Sequence, residues 1–365
     1  MYLGKKRFVT LLILFTLIIG GTLSCAHPLK NSFEQPSNAE ISHDEIINQG
    51  LQIVCKENNL ENSYAIIYPS SLLLTELEKW YNSHPMIEFA SLVETTITIK
   101  FIDGSYTLLM DIFSLMNGYD AENERKFYDS IDDFSSYNSE CATGQTALIL
   151  NPSEYLYGNR HCKRIINKLL NKGYNIVYLA NEDVDLPYIE HNLHAEIIYM
   201  NTHAGYWDID GDNEADAVVI GTGEYWTNET EEIYQFEYEN QMIVEGMVGD
   251  KSFIAFTPAL IEYYYQPGDL PSSMVYMATC HATYDDSMAN AFLVSGASVY
   301  MGWTRNTIFW TNSLTSVLAF RLFVRGFNVK QVCRFIRSGG IYNFLLRSKL
   351  TYYGNGEHRI LRLVS

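Results

Sequence analysis

The sequence predicts an α/β fold, a mostly parallel sheet with helices on both faces, preceded by a small α+β N-terminal domain. Three observations predict it. Beyond residue 144, short apolar segments alternate with one-faced helical patterns. Before residue 140, the clearest feature is a hairpin pattern in which apolar and polar residues alternate. The length of 365 residues suits about two domains, each with its own core.

The first 25 residues have the pattern of a bacterial export signal. Three basic residues at 5–7 precede an apolar run from Phe8 to Gly21, and Ser24 precedes Cys25. The run is short for a membrane span, which needs about 20 residues. The pattern predicts an exported protein, either secreted or anchored to the cell envelope by lipidation of Cys25. An uncleaved membrane anchor is the alternative.

Between this signal and the α/β domain, the sequence predicts a tether and an accessory domain. Residues 26–45 are rich in Pro, Asn, Ser and charged residues without periodicity, which is typical of a tether. Residues 46–140 predict the small α+β domain. Its hairpin has strands at Thr96–Phe101 and Tyr106–Met110, joined by a tight turn at Asp103-Gly104.

Residues 144–365 predict the α/β domain. Its helices follow the spacing of one apolar face, most clearly at Cys162–Leu170 and Val329–Ile336. A long insertion, residues 206–271, separates two of its strands. The predicted strands are Ala147–Leu150, Ile176–Leu179, Glu196–Met200, Met274–Ala278 and Ser298–Met301. In such sheets, ligands bind at the carboxyl ends of the strands.

Charge and motif content disfavour two classes of ligand. The chain has 25 basic and 43 acidic residues, a net charge of -18, so it lacks the basic clusters that nucleic acid requires. A nucleotide-binding domain is also disfavoured. The segment Asn151-Pro-Ser-Glu154 stands where a glycine-rich phosphate loop would follow the first strand.

Two predicted strands end in reactive side chains. One runs into Asn201-Thr-His203, and another runs into Thr279-Cys280. If these strands are adjacent and parallel, an imidazole and a thiol meet at one edge of the sheet, where the imidazole can activate the thiol. An odd number of cysteines follows Cys25, so at least one is a free thiol or pairs between chains. Cys162 and Cys333 lie on apolar helical stripes and are predicted to be buried.

The two strand ends resemble the signature of the caspase-like cysteine peptidases, which include caspases, gingipains and bacterial CHAT domains. Residues 289–302 resemble the helix and strand that follow the cysteine in CHAT-type and gingipain-like domains. Leu350–Asn355 resembles the closing segment of that group. The resemblance covers residues 144–360 and implies a caspase-like sheet and thiol protease activity on a peptide or protein substrate.

The resemblance also implies roles for individual residues. Cys280 would be the nucleophile and His203 the general acid and base. The oxyanion would be held by the backbone N–H of Cys280 and one from Ala204 or Gly205, although the family has glycine directly after the histidine. The alternative is a catalytically inactive caspase-like surface protein that acts as a calcium-stabilised binding module. Apart from the resemblance, the negative charge of Asp285-Asp286 near the cysteine suggests a preference for basic substrate side chains.

An acidic loop follows the histidine. Asp208, Asp210, Asp212 and Asp216 stand at positions 1, 3, 5 and 9, with Gly211 at position 4 to permit the turn. Oxygen ligands in this number suit a hard cation, and Ca²⁺ is the natural candidate. The spacing is not that of an EF-hand, but resembles the Asp-x-Asp-Gly-Asp loops of other extracellular calcium proteins. An acidic surface turn without metal is the alternative.

Overall fold

The structure is a computed structural model, and the residues it describes fall in several stretches. They are 42–57, 71–111, 137–139, 145–248, 251–307, 309–337 and 347–360. Apart from Ser42, all belong to one compact unit, His43–Ser365. The predicted export signal, Cys25 and most of the predicted tether lie outside the described residues. Within those stretches, no helix is long and apolar enough to cross a membrane.

The described strands form two sheets of seven strands each. The strands are β1 (Ile87–Val93), β2 (Thr96–Phe101), β3 (Tyr106–Asp111), β4 (Tyr137–Ser139), β5 (Thr146–Asn151), β6 (Asn175–Ala180), β7 (Ile197–Met200), β8 (Ala204–Trp207), β9 (Ala217–Tyr225), β10 (Ile243–Val248), β11 (Lys251–Phe256), β12 (Met274–Met277), β13 (Val299–Trp303) and β14 (Leu350–Gly354).

Helices connect and cover these strands. They are α1 (His43–Glu57), α2 (Ser71–Ser83), α3 (Glu154–Tyr157), α4 (Arg160–Leu170), α5 (Leu186–His191), α6 (Asn228–Ile233), α7 (Gln235–Glu239), α8 (Pro258–Tyr264), α9 (Ser287–Val294), α10 (Phe309–Phe323) and α11 (Val329–Arg337).

The main sheet has the order β14-β13-β12-β7-β5-β6-β4. Neighbours from β13 to β6 are parallel, and the edge strands β14 and β4 are antiparallel. The five strands predicted after residue 144 are all present in it, and each begins and ends within two residues of its predicted bounds. The α/β class and the mostly parallel sheet are therefore confirmed.

Helices cover both faces of the main sheet, as predicted. On one face, α4, α10 and α11 pack against the sheet through one buried apolar cluster. On the other face, α5, α8 and α9 pack together with strands of the second sheet. Because both faces are covered, the central strands are apolar along their whole length, as in the fully buried segment Ile197–Met200.

The second sheet has the order β1-β2-β3-β10-β11-β9-β8. It contains the predicted hairpin, formed by β2 and β3. Strand β3 then pairs in parallel with β10, with Thr107 opposite Glu245. Residues 87–111 and the insertion at 206–271 thus share one sheet, whereas the sequence places 46–140 in an accessory domain. Pairing between strands so distant in sequence leaves no local pattern, which is why the sequence does not predict it.

Candidate active site

His203 and Cys280 follow neighbouring strands of the main sheet. The parallel strands β7 and β12 pair in register, with Met200 opposite Met277. His203 and Cys280 each stand three residues beyond this last pair. Because the carboxyl ends of parallel strands meet at one edge, the register brings both residues to matching positions there. The adjacent parallel strands on which the predicted dyad depends are therefore present.

Buried asparagine side chains hold these strand ends together. Asn201 Nδ2 donates to Asn151 Oδ1 at 2.8 Å, across the ends of β7 and β5. Asn312, on α10, donates from Nδ2 to Ala278 O at 2.6 Å and to Asn201 Oδ1 at 3.2 Å. Since these buried amides make hydrogen bonds within the protein, the network fixes the spacing of three neighbouring strand ends. Sequence reasoning assigned no role to these asparagines.

The Cys280 side chain is half-buried. Its Sγ accepts a hydrogen bond from the Thr307 N–H at 3.2 Å and lies 3.5 Å from Thr307 O. A backbone N–H donated to sulfur favours the thiolate, which is the nucleophilic form. Cys162 and Cys333 are buried, as predicted, and burial raises the pKa of Cys162. Of these three thiols, Cys280 alone is open to a reactant.

His203 lies where the chain leaves the main sheet and enters the second sheet. Its carbonyl oxygen accepts a hydrogen bond from the Gly221 N–H at 2.9 Å, at the start of the β8/β9 ladder. Its half-buried ring packs 5.5 Å from the Tyr157 ring, which stacks on Phe309 at 4.2 Å. Backbone and ring are thus both fixed by neighbours, as positioning of an acid–base group requires.

His281, next to the thiol, is buried in a polar cluster. Asn306 Nδ2 donates to Thr95 Oγ1 at 3.1 Å, and Asn306 Oδ1 accepts from the His281 Nε2–H at 2.6 Å. His281 Nδ1 then accepts a hydrogen bond from the Tyr206 hydroxyl. Burial lowers the pKa of His281 to about 3, so the ring is neutral near pH 7. His281 therefore positions its neighbours and does not exchange protons in that range.

Residues 304–307, which follow β13, link the thiol to the second sheet. Arg305 forms an ion pair at 3.2 Å with Glu94 in the β1–β2 turn. His281 has a φ of 58°, in the left-handed region, which costs a non-glycine residue about 1–3 kcal/mol. The contacts of Asn306 help to hold that turn. Sequence reasoning missed this segment, although residues after β13 are at the sheet edge where ligands bind.

The structure distinguishes between the two predicted oxyanion donors on β8. The Gly221 N–H donates to His203 O, so these residues form a hydrogen-bonded pair. Hydrogen-bonded and non-hydrogen-bonded pairs alternate along an antiparallel pair of strands. Gly205 and Val219 are therefore the next hydrogen-bonded pair, and the Gly205 N–H donates to β9. The Ala204 N–H then faces away from β9. Of Ala204 and Gly205, only Ala204 has an N–H that does not hydrogen-bond to β9.

A small cleft of about 10 Å³ lies beside His203. Its walls come from the second sheet and from the β5–α3 connection, and include Ser153 and Phe253. Asp285, which the sequence suggested as a specificity residue, does not line it. Its carboxylate accepts hydrogen bonds from the Ser287 N–H at 2.9 Å and hydroxyl at 2.7 Å, at the start of α9.

The acidic loop brings three of its four predicted ligands together. Carboxylate oxygens of Asp208, Asp210 and Asp216 lie within 4.8 Å of one another. Asp208 is buried, and its carboxylate also accepts hydrogen bonds from backbone N–H groups of the loop. Asp212 is outside this group and accepts from the Glu214 N–H at 2.8 Å. Three converging carboxylates fit a hard cation that prefers oxygen ligands.

In comparisons with known proteins, no family model, curated protein or solved structure matches the chain.

Proposed function

We propose that the protein is an exported caspase-like cysteine endopeptidase that hydrolyses peptide bonds through Cys280 and His203. One observation carries the proposal: β7 and β12 are adjacent, parallel and in register, so a half-buried thiol and an imidazole follow matching strand ends. A thiol and a base at one sheet edge are the two groups that nucleophilic peptide hydrolysis requires.

In the proposed reaction, the Cys280 sulfur attacks the peptide carbonyl carbon, and the thiol proton passes to His203. The Ala204 N–H supports the negative charge that develops on the carbonyl oxygen. His203 then gives the proton to the leaving amine, so the C–N bond breaks and an acyl-enzyme remains. Water, deprotonated by His203, hydrolyses the thioester and restores the thiol. The Thr307 N–H stabilises sulfur while it carries negative charge.

A catalytically inactive binding module is the second candidate. The Cys280 Sγ lies 3.5 Å from Thr307 O, so a protonated thiol can donate a hydrogen bond there. That contact stabilises the unreactive form of the sulfur. The two candidates differ in one property, since a peptidase needs a reactive thiolate at Cys280 and a binding module does not.

The test is cleavage of an internally quenched peptide library by the chain that begins at Ser42, beside Cys280→Ala and His203→Ala. We expect turnover by the wild type and a loss of at least 100-fold in each variant, because each removes one half of the dyad. Iodoacetamide should label Cys280 and spare the buried Cys162 and Cys333, which serve as internal controls. An inactive wild type with an unreactive Cys280 would contradict the peptidase and favour the binding module instead.

We also propose that Asp208, Asp210 and Asp216 hold Ca²⁺, which would neutralise their charge and order the loop after His203. Ca²⁺ at 100 times its Kd should stabilise the protein by about 2.7 kcal/mol. Thermal unfolding with and without Ca²⁺ measures this. Asp210→Asn should reduce the effect, while Asp212→Asn, with the same charge change outside the group, should retain it. Equal effects of the two variants would contradict the site.

Export and anchoring rest on the sequence pattern at residues 1–25. We propose that the signal is cleaved and Cys25 lipidated, which holds the protein at the cell envelope. Expression of the full chain in a bacterial host should place it in the membrane fraction. Cys25→Ser should release it to the soluble fraction, and a protein that stays with the membrane would support the uncleaved anchor.

A further inference from the structure

Charge is divided between the two sides of the main sheet. The helices α4, α10 and α11 carry eight basic residues and no acidic residue, namely Arg160, Lys163, Arg164, Lys168, Arg321, Lys330, Arg334 and Arg337. The helices α5 to α9, which lie towards the second sheet, carry seven acidic residues and no lysine or arginine, namely Glu190, Glu229, Glu231, Glu232, Glu237, Glu239 and Glu262. The net charge of -18 therefore conceals a basic face, which no basic run in the sequence marks because its residues come from three separate helices.

The three basic helices form one layer whose outer side is exposed. All three bury their apolar sides in one cluster against the main sheet, and α10 contacts both α4 and α11. Arg164, Arg321 and Arg334 are exposed, one on each helix. Lys330 on α11 is also exposed and lies 3.6 Å from the Glu357 carboxylate, but an ion pair this exposed is weak. Several positive charges thus face solvent, and the helices that carry them hold no carboxylate to neutralise them.

Large apolar side chains are exposed among these bases. Leu314 is 64% exposed and lies two helical turns before Arg321, on the same side of α10. Phe335 is 54% exposed and follows Arg334 on α11, and Phe327, 40% exposed, lies in the turn between α10 and α11. Lys and Arg beside exposed Leu and Phe are typical of surfaces that lie on anionic membranes. There the bases meet lipid phosphates and the apolar side chains enter the headgroup boundary.

We propose that the face formed by α4, α10 and α11 binds an anionic lipid membrane. The acidic helices then point away from it. Neighbouring layers of helix and sheet pack about 10 Å apart, so the acidic helices lie roughly 20 Å from the basic ones, beyond the screening length of about 8 Å at physiological ionic strength. The net negative charge therefore does not prevent this contact. The inference is independent of the peptidase function and adds a second, reversible contact to the anchoring proposed for Cys25.

Cosedimentation with vesicles tests the basic face. The chain that begins at Ser42, which lacks the signal and Cys25, is mixed with vesicles of phosphatidylcholine alone or with an equal share of phosphatidylglycerol. EDTA is present, so that Ca²⁺ cannot bridge the acidic loop to lipid phosphates. Binding to the anionic vesicles should be tighter by about tenfold or more at low salt and should weaken at high salt. Equal binding to both vesicles, or binding to neither, would overturn the inference.

Charge variants locate the binding on the face. Each Lys or Arg near an anionic surface raises binding about fivefold, so Arg321→Gln/Arg334→Gln should weaken binding to the anionic vesicles about 25-fold. Both side chains are exposed, so the variant should fold, which thermal unfolding checks. The matched control is Lys79→Gln/Lys100→Gln, which makes the same change in net charge on α2 and β2. It should bind within about twofold of the wild type. Equal weakening by the two variants would overturn the inference.

Apolar variants distinguish a membrane from a soluble polyanion. Leu314→Gln/Phe335→Gln keeps every charge, and should weaken binding to the anionic vesicles about tenfold because the exposed apolar groups are lost. Binding to polyphosphate should be unchanged by this variant. Polyphosphate or single-stranded DNA that binds the wild type more tightly than the anionic vesicles do would overturn the inference.

A second copy of the chain is the other possible occupant, since the basic face of one copy complements the acidic helices of another. Size-exclusion chromatography at low salt, without vesicles, tests this. A monomer would support the membrane as the partner. Concentration-dependent association that Arg321→Gln/Arg334→Gln abolishes, and that the anionic vesicles do not compete away, would overturn the inference.

Discussion

At the residue scale, the hydroxyl of Tyr206 is the feature next to Cys280 that is easiest to test. Tyr206→Phe removes the donor to His281 Nδ1 and leaves that buried nitrogen unsatisfied. We expect a loss of about 1–3 kcal/mol in the free energy of unfolding, measured in urea. In the proposed enzyme, kcat should also fall, because His281 shares the turn that carries Cys280.

Tyr300→Phe is the matched control for this change. Tyr300 is equally buried, but its hydroxyl has no hydrogen-bond partner within the described part of the chain. Its removal should change the free energy of unfolding by no more than about 0.5 kcal/mol or raise it, since an unsatisfied polar group is lost. Equal losses in the two variants would show that the Tyr206 hydroxyl contributes only its packing.

At the scale of elements, a close backbone contact joins β9 to the short helical turn Asn181–Asp183. The Gly223 N–H donates to Val184 O at 2.9 Å, and a Cβ at Gly223 would lie only 1.8 Å from Asn181 O. Gly223→Ala must push two backbones apart, and we expect a loss of about 1–3 kcal/mol or more in the free energy of unfolding. Gly221→Ala, two residues earlier on the same strand, should lose less than about 1 kcal/mol.

Thermal unfolding of both glycine variants tests this contact. Similar melting temperatures for the two would mean that the turn is free to move away from β9. The comparison is informative because both substitutions add the same methyl group to the same strand, and only the distance to the nearest backbone differs.

The pairing of β3 with β10 should be visible in the pH dependence of stability. Glu245 is buried on β10, accepts a hydrogen bond from the Thr107 hydroxyl, and burial raises its pKa from 4.5 to about 7. Between these values, the folded protein keeps a proton that the unfolded chain has released. Stability therefore falls as pH rises from about 4.5 to 7, by at most about 1.4 kcal/mol per pH unit.

Glu245→Gln should remove this contribution, because glutamine does not titrate. Urea unfolding of both proteins at pH 5 and pH 7.5 gives the difference, and the variant should gain stability relative to the wild type at the higher pH. Burial also raises the pKa of Glu190 to about 7, so the comparison with wild type, and not the wild-type slope alone, is diagnostic. If the free energy of unfolding depended equally on pH in both proteins, the Glu245 carboxyl would be in contact with water.

At the scale of the whole molecule, the sequence predicts local elements well and their long-range pairing poorly. Cys162–Leu170 and Thr96–Phe101 each carry their own periodicity, so helix α4 and strand β2 could be read from the residues alone. The strand ends at His203 and Cys280 could be found in the same way. The pairing of β3 with β10 could not be predicted. Every residue of Ile243–Val248 is buried, and such a segment shows no alternation that would indicate which sheet or neighbouring strand it joins.

The same limit applies to the surroundings of the candidate site. Asn306 and Thr95 meet at 3.1 Å although they are 211 residues apart. Neither stands in a recognisable motif, and their contact depends on how the second sheet lies against the end of β13. Tyr206 and His281 are likewise joined only by the fold. The strand ends that carry the predicted dyad can thus be found in the sequence, while the residues that contact them cannot.

The shared second sheet leads to the last prediction, on where the chain can be divided. A chain of residues 145–365 would lack β1–β4, α1 and α2, so β10 and β6 would become exposed edge strands and Met247 would lose its apolar cluster. Open apolar edges pair with other chains, so we expect this fragment to aggregate.

The chain that begins at Ser42 keeps the whole compact unit and should be soluble and unfold cooperatively. Size-exclusion chromatography and thermal unfolding compare the two. A monomeric, cooperatively unfolding fragment 145–365 would instead support the division into an accessory domain and an independent α/β domain.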